Sequence, residues 1–249
     1  MDEELDVAEL FHENTKIAPH QLGVSLSQLP APLSPGHIEA RFRLPEAVPA
    51  QSAGIEQVIY ARKTLRDFNR GVPLPMAALS RLLAFSCGCT MPVYPAGSFD
   101  FEYHHAQPSA GAKYPIEVYA LVLNVEGLPP GVYRYAANDH SLELLRPGQF
   151  QRDLEAWMFH QPYMVDGGVL FVLAGFVERI RPFYGERGYR YMMLEAGHIA
   201  QNLCLLGTAH QLGVIVGGGF IDTAINRLLG LNDVTQIALY IIAVGVPKS

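Results

Sequence analysis

Apolar positions along the chain follow two periods. Between Tyr189 and Leu212 there is no proline, and Met192, Ala196, Ile199, Leu203 and Leu206 recur at the spacing of one helical face. Met193, Ala200, Cys204 and Leu205 make the other faces apolar too, so the spacing predicts a helix buried in a core or an obligate interface, roughly 35 Å long. Its polar line is Glu195, His198, Gln201 and Asn202; once buried, such groups need hydrogen-bond partners. Gly213 is the expected helix stop, followed by a short buried strand over 214–216 and the glycine run Gly217, Gly218 and Gly219, which lets another chemical group approach bare backbone.

Elsewhere the pattern predicts an amphipathic helix over 2–12, a core-facing helix over 73–87, an alternating strand over 116–123 and a hairpin from GVYRY and HSLELLR. A short helix over 149–159, a fully apolar strand over 167–177, a helix capped by Asp222 and stopped by Gly230, and a last strand over 237–244 follow. Residues 1–52, interrupted by Pro19, Pro30, Pro32, Pro35, Pro45 and Pro49, read as an arm across the surface of the body or of a partner, and 53–249 as the body.

Composition narrows the class. Of 249 residues 49% are apolar, ample for a core, and the net charge of −6 offers no basic footprint for nucleic acid. No run reaches the length of a membrane span and MDEELD is not a secretory opening, so a soluble cytoplasmic protein is expected. Cys87, Cys89 and Cys204 do not make a disulfide framework, and SCGC lacks further metal ligands nearby; packing at a helix end is the expected role. FHENTK opens like a zincin motif but has Lys16 where the second histidine belongs, and His104 and His105, being adjacent, are expected as polar loop residues; no metal is expected. VIVGGGFIDTAINRLL superficially suggests a dinucleotide fold, yet the third glycine would fall on Asp222 and no Walker lysine follows.

Three stretches carry candidate chemistry. Arg62 and Arg66, four apart, would project from one face of a helix with Lys63 and Thr64 beside them, which fits a phosphate site or a solvated basic face. Ser109, Ala110, Gly111 and Ala112 precede a buried strand, which fits room for a flat ligand or a tight turn. Glu195 and His198 fit a proton relay, or groups that satisfy buried backbone or a partner subunit.

FHENTK, ARKTLRDF, PSAGAKYPIEVY, GVYRY, YGERGYRYMMLEAGHIAQN, VGGGF and ALYIIAVGVP, in that order, resemble the SagB-type dehydrogenases, a branch of the FMN-dependent nitroreductase-like superfamily, from about residue 10 to the C-terminus. The resemblance implies an α+β fold with a central, mainly antiparallel sheet wrapped by helices and an intertwined homodimer with FMN where the subunits meet. It implies that Arg62, Lys63, Thr64 and Arg66 hold the FMN phosphate, that Pro108, Ser109, Ala110 and Gly111 meet the ring and ribityl chain, and that Gly217, Gly218 and Gly219 bring a backbone amide to flavin N5. The implied reaction oxidises thiazoline or oxazoline rings in a peptide or carrier-bound substrate, with O2 reoxidising the flavin, and a heterocyclising enzyme is a possible partner. The branch's Lys-Tyr base falls on Phe183 and Tyr184, so the tyrosine is kept and the lysine is not. Tyr184 would act with help from Arg181 or Arg187, or serve as a packed aromatic at the start of the long helix, and Lys113 is a second candidate base. A NAD(P)H-dependent nitro or quinone reductase and a non-catalytic flavin-binding scaffold subunit are the alternative readings on the same fold.

Overall fold

The computed structural model describes residues 7–19, 29–31, 33–34, 36–49, 54–92, 103–159 and 161–248. Seven strands form the main sheet: β1 (Ala40–Arg43), β4 (Ile116–Val122), β5 (Gly131–Ala136), β6 (Ser141–Pro147), β7 (Val169–Phe176), β8 (Gly213–Gly217) and β9 (Gln236–Gly245). Their order is β1-β6-β5-β4-β7-β9-β8, and every pairing is antiparallel. A separate ribbon pairs β2 (Cys89–Pro92) with β3 (Tyr103–His105). The helices are α1 (Val7–Thr15), α2 (Ile55–Ala61), α3 (Met76–Cys87), α4 (Gln151–Trp157), α5 (Val177–Tyr184), α6 (Arg187–Ala209) and α7 (Asp222–Leu229). The expected α+β architecture, a central antiparallel sheet wrapped by helices, is the one observed.

Strand alternation divides the core in two. Val118 and Ala120 of β4 and Phe171 and Leu173 of β7 pack with Met192, Ala196, Ile199 and Leu203 of α6 and Leu79 and Leu83 of α3. The intervening Tyr119, Leu121, Leu170 and Val172 face the opposite way, against Leu154 and Trp157 of α4 and Ala224, Ile225 and Leu228 of α7. Helices on both faces explain why β7 reads as an unbroken apolar run. Backbone contacts at the sheet leave no room for side chains in places: a Cβ at Gly167 would lie 2.6 Å from the carbonyl oxygen of Val244, which already accepts from Gly168 N–H at 2.9 Å. Gly167→Ala should therefore lower stability by about 2–3 kcal/mol, read as an earlier urea midpoint.

Several expectations are corrected. The first helix runs over Val7–Thr15 rather than ending at His12; the part expected at 2–6, and Pro32 and Pro35, lie outside the described residues. Within the 1–52 arm, Ala40–Arg43 is hydrogen-bonded to β6 as the sheet's edge strand. His104 and His105 lie in β3 rather than a loop. The long helix stops at Ala209, not at Gly213; Gln211 adopts φ 57° and Leu212 N–H returns to the Gly207 carbonyl at 2.8 Å, so the chain turns before Gly213 opens β8. α5 was not expected, because Pro182 in its last turn argues against a helix there.

Candidate active site

The small-residue loop enters β4 through an unusual backbone path. Gly111, Ala112 and Tyr114 all have positive φ (55°, 51° and 45°), and the Ser109 hydroxyl accepts a hydrogen bond from Tyr114 N–H at 2.9 Å. The hydroxyl of Tyr184 lies against this loop: a Cβ at Gly111 would stand 2.5 Å from it. Phe183 packs there too, with Lys113 Nζ 3.8 Å from its ring centroid. Lys113, Phe183 and Tyr184 are thus brought together with Pro108, Ser109, Ala110 and Gly111. Tyr184 is not at the start of the long helix, as expected for a packed aromatic there, but is the last residue of α5. Arg181 directs its charge to Glu9 at 3.3 Å and Glu186 at 3.7 Å, on the side of α1, rather than to the Tyr184 hydroxyl.

Glu195 closes the floor of the same region. Its side chain is buried, with 2% exposure, and Oε1 accepts from Gln107 Nε2 at 3.3 Å. Ser109 lines the same cavity as this carboxyl. Glu195 Oε2 and Gln107 Oε1 are buried without a partner among the described residues. Burial pushes the Glu195 carboxyl up to about 7, against the opposing pull of Ser109, Gln107 and Arg179. Within the chain, Glu195 is thus held by the side chain of Gln107, directly before the loop, rather than by backbone. His198, one turn on, is exposed at the rim of a cavity of about 260 Å³ between the loop and α6 that Tyr191, Ser109 and Glu195 also line. Gln107 was not singled out from the sequence; a buried polar residue directly before PSAG was the available signal.

The cationic stretch departs from its expected geometry. α2 ends at Ala61, so Arg62 to Arg66 do not share a helical face. The helix stops because Leu65 is drawn to β8: its N–H bonds Val214 O at 3.3 Å and its side chain packs at Gly213. Arg62, Lys63, Thr64 and Arg66 remain exposed, and among the described residues no carboxylate pairs with the three cations. Arg66 stands 5.7 Å over the Tyr163 ring, and the next residue, Met164, packs 3.2 Å from a Cβ placed at Gly217. The cations and the glycine turn accordingly share one neighbourhood. Gly219 is approached by Phe159, whereas Gly218 is exposed with nothing within 4 Å of a Cβ.

Register relates the two halves. β4 begins where β7 ends (Ile116 opposite Gly175), β7 ends where β9 begins (Gly175 opposite Ile237), and β8 runs to Gly217 opposite Ile241. The loop before β4 and the turn after β8 therefore point toward the same end of the sheet, with β7 and β9 between them, roughly 14 Å across the strands at ordinary spacing, and β8 stops four residues (Ile241 against Ile237) short of the level at which β4 begins.

Residues 59–246 match the Nitroreductase family. The chain belongs to the nitroreductase family. It is 31% identical over 179 residues, 72% of this chain and 85% of the other, to MJ1384 of Methanocaldococcus jannaschii, provisionally named a nitroreductase. A second relative, the trifolitoxin operon protein TfxC of Rhizobium leguminosarum bv. trifolii, is 29% identical over 119 residues, which is 47% of this chain and 33% of TfxC. Among solved structures, a chain of the E. coli microcin synthetase McbBCD complex with truncated pro-MccB17 bound superposes with a TM-score of 0.69 at 21% identity, covering 98% of this chain and 92% of that one. This nitroreductase-family chain has no helix long and apolar enough to cross a membrane, and no cluster of three potential metal ligands, among the described residues.

Proposed function

We propose that the protein is a homodimeric FMN-dependent dehydrogenase acting on a thiazoline, an oxazoline or a similar C–N site in a peptide-like substrate. The observation that carries this reading is the loop over 108–111, bare of bulky side chains, with the hydroxyl of Tyr184 packed on Gly111 at the sheet end toward which the glycine turn also points. The residues fit FMN. Arg62, Lys63, Thr64 and Arg66 would hold its phosphate, since an exposed set of forked cationic donors with a hydroxyl and no competing carboxylate suits a dianion. The loop over 108–111 and Gly218, where no side chain intrudes, would flank its ring. FMN, when bound, supplies the acceptor for two electrons and passes them to O2.

The chain's own part is to hold the substrate and take a proton. Tyr184 is the group set to accept one above the loop, and Lys113, over the neighbouring Phe183 ring, brings a cation beside it where the motif would otherwise have a lysine at 183. A second copy would cover the outward apolar residues Met193 and Leu194 of α6 and Ile55, Ile59 and Tyr60 of α2, which are 40–93% exposed in one chain. Support for a peptide substrate comes from the likeness to TfxC, a trifolitoxin operon protein, and to a chain of the microcin synthetase McbBCD complex with truncated pro-MccB17 bound. A heterocyclising enzyme would then be a partner.

The purified protein should take up FMN, and anaerobic mixing with an azoline peptide should bleach the flavin. Bleaching by NAD(P)H instead would support the reductase reading that the likeness to MJ1384 favours. Tyr184→Phe should lower turnover of the azoline peptide by roughly 100-fold with the flavin still bound. Unchanged turnover would remove Tyr184 from the mechanism, and a wild-type protein that binds no FMN would end the proposal.

A further inference from the structure

α5 and α6 meet at a joint with little stiffness of its own. Gly185 stands there at φ 53° and ψ −141°, a path open to glycine and strained for any side chain, directly between Tyr184 and Glu186. Within the pair, Ile180 packs at Gly188, and the rings of Tyr184 and Tyr191 meet edge to face at 5.1 Å. These contacts are apolar and carry little direction. The directed bonds across the joint come from α1. Glu186, the N-cap of α6, accepts the Ala8 N–H at 2.9 Å, so its carboxylate closes the first turn of α1, where backbone donors lack partners and the helix dipole favours negative charge. On the other side of Gly185, Nη1 and Nη2 of Arg181 each lie 3.3 Å from Glu9 Oε1, and Arg181 Nε lies 3.7 Å from Glu186. His12, 5% exposed, places Nδ1 3.2 Å from the Tyr189 hydroxyl of α6, and Lys16 and Ile17 tie the far end of α1 to Asp233 and Asp222.

We infer that α1 is a splint across this joint, and that Glu9, Arg181 and Glu186 are positioning residues for the Tyr184 hydroxyl. The inference rests on the reading of Tyr184 as the group that takes the substrate's proton. That hydroxyl fits over Gly111 only because glycine has no Cβ, and proton transfer demands hydrogen-bond reach, so a small rotation about Gly185 would carry Tyr184 out of use. α1 opposes the rotation by gripping α5 at Arg181, three residues before Tyr184, and α6 at Glu186 and Tyr189, two and five residues after it. Arg181 thereby acts on Tyr184 through geometry, its charge being taken up by Glu9 and Glu186.

The test uses the full chain labelled with 3-fluorotyrosine, in which the fluorine resonance of Tyr184 is the one lost in Tyr184→Phe; it needs neither flavin nor substrate. Wild type should give one narrow Tyr184 line displaced from that of free fluorotyrosine. Glu9→Arg sets two cations against each other and Glu186→Ala removes the cap of α1; each should move the line toward the free position, and Arg181→Glu added to Glu9→Arg should return it. Glu126→Arg, an equal charge change at an exposed residue beyond β4, should leave the line in place. With FMN bound, turnover of the azoline peptide should fall roughly fivefold in Glu9→Arg and in Glu186→Ala and recover in the swapped pair, while KM and the FMN Kd stay within about twofold. If Glu9→Arg does not fold, Glu9→Gln makes the same comparison with a smaller displacement. A Tyr184 line unmoved by Glu9→Arg and Glu186→Ala, or a displacement that the swap does not reverse, would overturn the inference while leaving flavin binding and the role of Tyr184 intact. A line that moves while turnover is unchanged would overturn the reading of Tyr184 as the proton acceptor, and the positioning role with it.

Discussion

At pH 8.5, Glu195→Gln should unfold at a distinctly higher urea concentration than wild type, while at pH 5 the two midpoints should nearly coincide. The reason is burial: the folded protein raises the Glu195 carboxyl from 4.5 to about 7. Between those values the native state keeps a proton that the unfolded chain has released, so stability falls as pH rises through that window and levels off above it. The cost of ionising the buried group is at most about 3 kcal/mol, counting each tenfold change in proton affinity at its usual free-energy value. Replacement by the amide removes that cost, and its added N–H group stands where Glu195 Oε2 and Gln107 Oε1 both lack partners. Asp222, pushed up to about 6 by burial, contributes a slope of the same sign at lower pH, which both proteins share. The expected difference is about 2–3 kcal/mol at pH 8.5, the upper part of what the shift allows. Equal separation of the two midpoints at both pH values would show Glu195 already ionised in the folded protein.

The reach of the sequence into this arrangement differed by kind of signal. Strands β4 to β9 were legible because alternation and apolar runs report directly on which faces are covered, and α6 because its length exceeds any competing pattern. Three features were hidden for physical reasons. β1 is a four-residue edge strand, ARFR, with charges on its exposed positions, inside a proline-rich stretch where no period can establish itself. α5 carries Pro182, tolerated because it falls in the final turn of a helix packed against α6 at Gly188 and Ile180. The Arg62–Arg66 spacing looked helical, yet Leu65 between them is bound to β8, a contact 149 residues away in sequence that no local pattern reveals. Glu195 shows the same limit at the site. Its place on a polar line of an apolar helix was visible, but its hydrogen-bond partner, Gln107, comes from another part of the chain.

The second large effect concerns the cations, and it separates a phosphate site from a solvated face. Arg62→Ala combined with Arg66→Ala should weaken FMN binding on the order of 100-fold while changing riboflavin binding by no more than about threefold, because charge-assisted bonds from two guanidinium groups to a dianion are lost and the ring contacts are not. The protein should tolerate the changes: both side chains are exposed, neither has a carboxylate partner among the described residues, and the anchor of the segment, Leu65, is untouched. Only the contact of Arg66 with the Tyr163 ring is given up, a small term at an exposed site. Raising the salt concentration should narrow the gap between the two ligands more in wild type than in the variant, since the variant keeps only Lys63 of the three cations. If FMN and riboflavin weaken together, the arginines are shaping the pocket rather than meeting a phosphate. If neither weakens, the phosphate lies elsewhere, and the solvated-face reading of this stretch is the correct one.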